Sequence, residues 1–129
     1  MRMALWTLLP CCLVLLFAPG LAQQPPHRGR INVAFEFQAG ETKFPAGEYL
    51  LYDITSTRGL LRSADGKLRQ TLYFSQSGEP ENNPRVVFAV RNDKYYFSAI
   101  VGWFGRMQYT GFSPHAEDGT KEVPIVSSE

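Results

Sequence analysis

Apolar and polar residues alternate most cleanly over residues 31–37, where Ile31, Val33, Phe35 and Phe37 are separated by Asn32, Ala34 and Glu36. Successive side chains of an extended chain point to opposite faces, so this period of two predicts a half-buried strand. A loop punctuated by Gly40, Pro45 and Gly47 follows, and then a second strand over residues 48–55. Its apolar residues Tyr49, Leu50, Leu51, Tyr52 and Ile54 fall on both parities. That segment is therefore buried on both faces or carries a bulge, and its inward face stays open.

Residues 60–63 form a short strand before Asp65-Gly66, a dipeptide suited to the positive φ of a tight hairpin, and Leu68, Leu72 and Phe74 share one face of the returning strand. The run 75–84 (SQSGEPENNP) is a polar surface loop. Residues 85–90 and 95–101, rich in β-branched and aromatic side chains, predict a second hairpin across Arg91-Asn92-Asp93-Lys94. One further strand fits residues 106–110. No stretch sustains a 3.6-residue period. The expected fold is all-β: an antiparallel meander of about six to seven strands forming a small sandwich or partly open barrel.

The N-terminus has a different pattern. Arg2 precedes a mostly apolar run from Ala4 to Phe17, shorter than the ~20 residues a membrane span needs, and Ala18-Pro19-Gly20-Leu21-Ala22 places small residues before a cut at Gln23. Residues 1–22 therefore read as a signal peptide, 23–30 (QQPPHRGR) as a flexible leader, 31–112 as the β domain and 113–129 as a loosely ordered tail. The expected location is outside the cytoplasm, in a periplasm or secreted, with no transmembrane segment in the mature chain. Both cysteines, Cys11 and Cys12, leave with the signal peptide. The domain must then fold without disulfides. A lipid anchor on Cys11 is the competing reading, against which the apolar run continuing past both cysteines argues.

Removing Arg2 leaves 12 of the 13 basic residues against 12 acidic ones, mixed along the chain. Nucleic acids and anionic membranes call for clustered Lys and Arg, so neither is an expected partner. The partner itself is left open between an envelope glycan and a protein.

Candidate chemistry is sparse. His27 lies in the leader and His115 in the tail; His115, Glu117 and Asp118 lack a metal-ligand spacing, so no metal or cofactor is expected. Glu48, Asp53 and Asp65 are the carboxylates nearest to strands, but turn chemistry explains Asp65 and a strand start explains Glu48. No nucleophile elbow or phosphate loop occurs. Two of the chain's 9 Phe, 6 Tyr and 2 Trp fall in the first 22 residues, leaving 15 aromatic rings in the rest. These rings fill a core or stack on a ligand, and Trp103, Phe104 and Tyr109, spaced through glycines, are the candidate ligand-binding residues. One unbroken strand from Tyr95 to Trp103 would put Tyr95, Phe97, Ala99, Val101 and Trp103 on one face, while Gly102 and Gly105 permit a bend that turns a ring outward.

Phe37-Gln38-Ala39-Gly40, Phe44-Pro45-Ala46-Gly47-Glu48-Tyr49, Arg62-Ser63-Ala64-Asp65-Gly66-Lys67, Arg85-Val86-Val87-Phe88 and Tyr95-Tyr96-Phe97 together resemble a family of small exported β-domain proteins common in acidobacterial soil bacteria. Pro-Ala-Gly-Glu-Tyr is the most specific piece. The resemblance covers roughly residues 31–100 and implies export and a β fold, with no catalytic residues to carry over. The sequence thus points to a non-enzymatic exported binding domain; a barrel-type carrier of an apolar small molecule and a hydrolase are the rival readings.

Overall fold

The computed structural model describes residues 26–127 and is built from eleven strands without a helix: β1 (His27–Val33), β2 (Phe37–Ala39), β3 (Thr42–Phe44), β4 (Gly47–Ile54), β5 (Arg58–Ser63), β6 (Arg69–Ser77), β7 (Arg85–Arg91), β8 (Lys94–Gly102), β9 (Gly105–Tyr109), β10 (Gly119–Pro124) and β11 (Val126–Ser127). The residues read as a signal peptide lie outside the described ones.

The strands form one mixed sheet, not closed into a barrel, in the order β10-β7-β8-β9-β6-β5-β4-β1-β11, with the small β2/β3 hairpin attached to β8. Two segments carry the chain around its corners. Strand β6 pairs with β5 through Arg69–Tyr73 and with β9 through Phe74–Ser77. The C-terminal segment pairs with β7 through β10 and, past Ile125, with β1 through β11. Strands that switch partners in this way fold the sheet into two facing layers, β11-β1-β4-β5-β6 and β10-β7-β8-β9-β6. Aromatic rings interlock between them: Phe37 stacks on Phe44, both meet Tyr49 of β4 edge to face, and Phe88 meets Phe37 and Phe97 edge to face.

The all-β class holds, and the hairpin across Arg91-Asn92-Asp93-Lys94 forms with Asn92 and Asp93 at φ 54° and 63°. The connectivity is less local than a meander, since β1 pairs with β4, β6 with β9, and β2 runs parallel to β8. The strand expected over 31–37 is divided. Val33 ends β1, and Phe35 turns away to stack on Tyr95 at 3.9 Å.

Both ends of the β domain move outward from the expected 31–112. The strand begins at His27 rather than Ile31, because the backbone of residues 27–33 pairs with β4 and Gly29 packs tightly under the C-terminal segment. A Cβ on Gly29 would come within 2.3 Å of the Ile125 side chain. The 113–129 segment, expected to be loosely ordered, holds β10 and β11, and Val123 and Ile125 are buried.

Two bulges set the facing of side chains. In β4, Gly29 pairs with Leu51 and His27 with Ile54, so the strand carries an extra residue, with Asp53 at φ 53°. Tyr49, Leu51 and Ile54 consequently point inward while Leu50 and Tyr52 point outward. In β8 the register shifts between Val87↔Ala99 and Phe88↔Phe97. Phe97 and Ile100 enter the core, whereas Ala99 and Val101 form a separate small cluster with Val87. The common face expected for Tyr95 through Trp103 is broken at Ser98.

Candidate functional site

Alternation along β1, β4, β5 and β6 assigns one set of side chains to the core and the other to the outer surface of this layer. The outward set includes Arg28 and Arg30 of β1, Leu50 and Tyr52 of β4, Arg58, Leu60 and Arg62 of β5, and Arg69, Thr71 and Tyr73 of β6. Strand register aligns them into rows. Arg30 opposes Leu50, Leu50 opposes Arg62 and Arg62 opposes Arg69; the neighbouring row runs from Tyr52 through Leu60 to Thr71, and the next pairs Arg58 with Tyr73. With strands about 4.8 Å apart, the first row spans about 14 Å.

Five arginines, Arg28, Arg30, Arg58, Arg62 and Arg69, therefore occupy a single sheet face. Among the described residues, Glu48 is the acidic side chain at the outward positions of these strands, and it pairs with Arg30 at 3.8 Å, a solvent-exposed contact of little energetic weight. Of the other acidic side chains, Asp53 lies in the β4 bulge, Asp65 in a turn, Glu81 on a loop beside Arg85, and Asp118 and Glu122 against the other layer. A chain with balanced charge thus folds into a molecule with a cationic face.

This face carries features that are unfavourable in the protein by itself. Arg62 and Arg69 stand directly opposite each other on antiparallel strands, where like charges repel. The Arg62 Nε hydrogen is buried with no acceptor among the described residues, a cost of about 1–3 kcal/mol. Its guanidinium lies 5.6 Å from the centre of the Tyr52 ring, which supports the cation but supplies no acceptor in its place. Between Arg28 and Arg62 lies a depression of about 250 Å³, floored by Gly29, Leu50, Leu51 and Tyr52. Tyr73 stands at the edge of the face, 56% exposed.

The residues singled out from sequence are not brought together. Trp103 and Phe104 form the turn between β8 and β9, where Gly105 takes φ 80° and a Cβ would meet the carbonyl oxygens of Ser77 and Gly78 at 2.7 Å. His27 covers this turn, stacked on Trp103 at 4.7 Å and edge-on to Phe104 at 5.4 Å. Tyr109 sits at the opposite end of β9, in the core, edge to face with Phe97 at 5.8 Å. Burial raises the pKa of its phenol, and a hydrogen bond with Gln70 acts in the other direction. Trp103 and Phe104 thus pack against the first strand through His27, while Tyr109 is buried.

The carboxylates have local employment. Asp65 accepts from the Ser63 hydroxyl at 2.6 Å and the Lys67 backbone N–H at 2.9 Å, which lowers its pKa. Glu48 and Asp53 lie five residues apart on one strand, about 17 Å along it. Asp118 is engaged by both Arg91 nitrogens and the His115 backbone N–H, and no group of three metal-ligating side chains occurs among the described residues. No helix among them is long and apolar enough to cross a membrane.

The Pro-Ala-Gly-Glu-Tyr motif has a structural role: the buried Tyr49 donates its hydroxyl hydrogen back to the Pro45 carbonyl, tying the loop to β4. Sequence reading missed the arginine face because its members are scattered from residue 28 to residue 69. The signal available was modest, namely that every one of those five cations is arginine. No protein-family model, curated protein or solved structure matches the chain.

Proposed function

We propose that this chain is an exported, non-enzymatic binding domain that engages an anionic partner outside the cytoplasm through the outer face of β1, β4, β5 and β6. The single observation that carries the reading is the segregation of five arginines onto that face, with Arg62 opposed to Arg69 and short of an acceptor at Nε. A local arrangement that destabilises the free protein is expected where a ligand completes it. Arginine rather than lysine favours groups that accept two parallel hydrogen bonds, carboxylate or phosphate. Export rests on the pattern of residues 1–22 and on the resemblance to small exported β-domain proteins.

The carrier reading has less support, since Phe37, Phe44, Phe88 and Phe97 occupy the space between the layers with at most 1% of their surface exposed. The hydrolase reading lacks converging carboxylates among Glu48, Asp53 and Asp65.

The experiment is retention of the purified protein on immobilised polyanions across a salt gradient. Retention should fall steeply with ionic strength, and the double variant Arg28→Glu/Arg62→Glu should weaken it at least tenfold. Arg106→Glu on the exposed side of β9 should change it less than twofold. Equal retention of all three proteins refutes the reading.

A further inference from the structure

The depression between Arg28 and Arg62 is more specific than a cationic surface requires. It is lined by Arg28 and Arg62 on strands β1 and β5 and by Leu50 and Tyr52 on the intervening β4, so cationic and apolar side chains meet in it. A planar anion on a small ring with one apolar face matches this lining: the anion meets the guanidinium forks and the C–H face lies on Leu50, beside the Tyr52 ring that backs Arg62. We propose that this depression is a subsite for a uronic acid residue of an acidic polysaccharide, whose neighbouring acid groups follow the row towards Arg69. The proposal rests on the anionic-partner reading above and names its ligand.

Two observations favour this occupant over a nucleic acid or a bilayer. A single-stranded nucleic acid needs several free rings for its bases, yet Tyr73 is the one strongly exposed ring on the face. A bilayer surface needs apolar side chains that project beyond the cations. Here Leu50, Leu60 and Tyr52 are half-buried between arginines. A sugar acid needs what is present: arginines at strand spacing with apolar side chains between them.

The test is isothermal titration of the full purified protein with a hexamer of galacturonic acid and with its carboxyl-reduced, neutral counterpart. The acid should bind and the neutral oligomer should lose at least tenfold in affinity. Arg28→Lys and Arg62→Lys keep the charge but remove the fork, and each should also lose about tenfold while melting near the parent temperature. Arg28 is exposed, so its variant reports on binding even if Arg62→Lys alters folding.

Dextran sulfate, phosphatidylglycerol vesicles and oligothymidylate complete the series. Equal binding of dextran sulfate, with the lysine variants unimpaired, overturns the sugar-acid assignment and leaves the anionic-partner reading standing. Binding to vesicles or oligothymidylate without binding to the hexamer does the same and redirects it. Failure to bind any of these polyanions overturns both.

Discussion

Arg62 and Arg69 face each other directly across the β5/β6 ladder, two cations where strand pairing ordinarily places opposite charges or apolar partners. Relieving this opposition should stabilise the domain while weakening ligand binding. Arg69→Thr is expected to raise the unfolding free energy by about 0.5 kcal/mol or less in low salt. The gain should vanish in molar salt. Urea titrations at two ionic strengths measure it, and a stability loss in low salt would show that the two guanidiniums do not oppose each other.

Arg91 and Asp118 form the corresponding device on the other layer, this time favourable. Two nitrogens of Arg91 reach both carboxylate oxygens at 2.8 and 2.7 Å, and Tyr96 and Phe112 flank the guanidinium at 5.7 and 5.0 Å. The hydrogen bonds from Arg91 lower the Asp118 pKa to about 2. Because the folded value lies below the ordinary one of ~3.9, the pair supports the fold fully above that value and loses its effect as pH falls towards 2. The protection factors of the β10 amides, their exchange rates referred to the intrinsic rate at each pH, should therefore fall between about pH 4 and 2. Asp118→Asn should show fast β10 exchange already at neutral pH, with the β4 and β5 amides unchanged.

Tyr49 tests whether the Pro-Ala-Gly-Glu-Tyr motif serves structure. Its ring is 2% exposed and its hydroxyl bonds to the Pro45 carbonyl. Tyr49→Phe should cost about 1 kcal/mol in chemical denaturation, the worth of one hydrogen bond, and Tyr49→Ala about 3–5 kcal/mol through the cavity it leaves. Polyanion binding by Tyr49→Phe should match the parent.

His27 and Trp103 offer an optical readout of the first strand. In a Trp6→Phe background Trp103 is the sole tryptophan. His27→Ala uncovers one ring face, so Trp103 emission should shift to the red and iodide quenching should rise, with a stability loss of about 1 kcal/mol. Unchanged quenching would mean that His27 does not shield the indole.

What could be read along the chain was whatever depends on near neighbours. Period-two alternation located the strand around Ile31, apolar runs rich in β-branched and aromatic residues located those around Tyr49, Phe88 and Phe97, and Asn92-Asp93 marked a hairpin because short polar residues tolerate positive φ. The division of roles was decided by pairing over long sequence distance. Ser98 sits at a bulge that sends Phe97 inward and Ala99 outward, and nothing in Tyr96-Phe97-Ser98-Ala99 announces it, since a bulge answers to the register of the partner strand. His27 and Val123 belong to strands because β4 and β7 have edges for them, although their own segments are polar and rich in turn formers. The five arginines were visible from the start as residues 28, 30, 58, 62 and 69 of an electrically balanced chain. Only the antiparallel register of β1, β4, β5 and β6 sets them on one face, because net charge is a property of composition whereas a potential depends on which side chains the sheet places together.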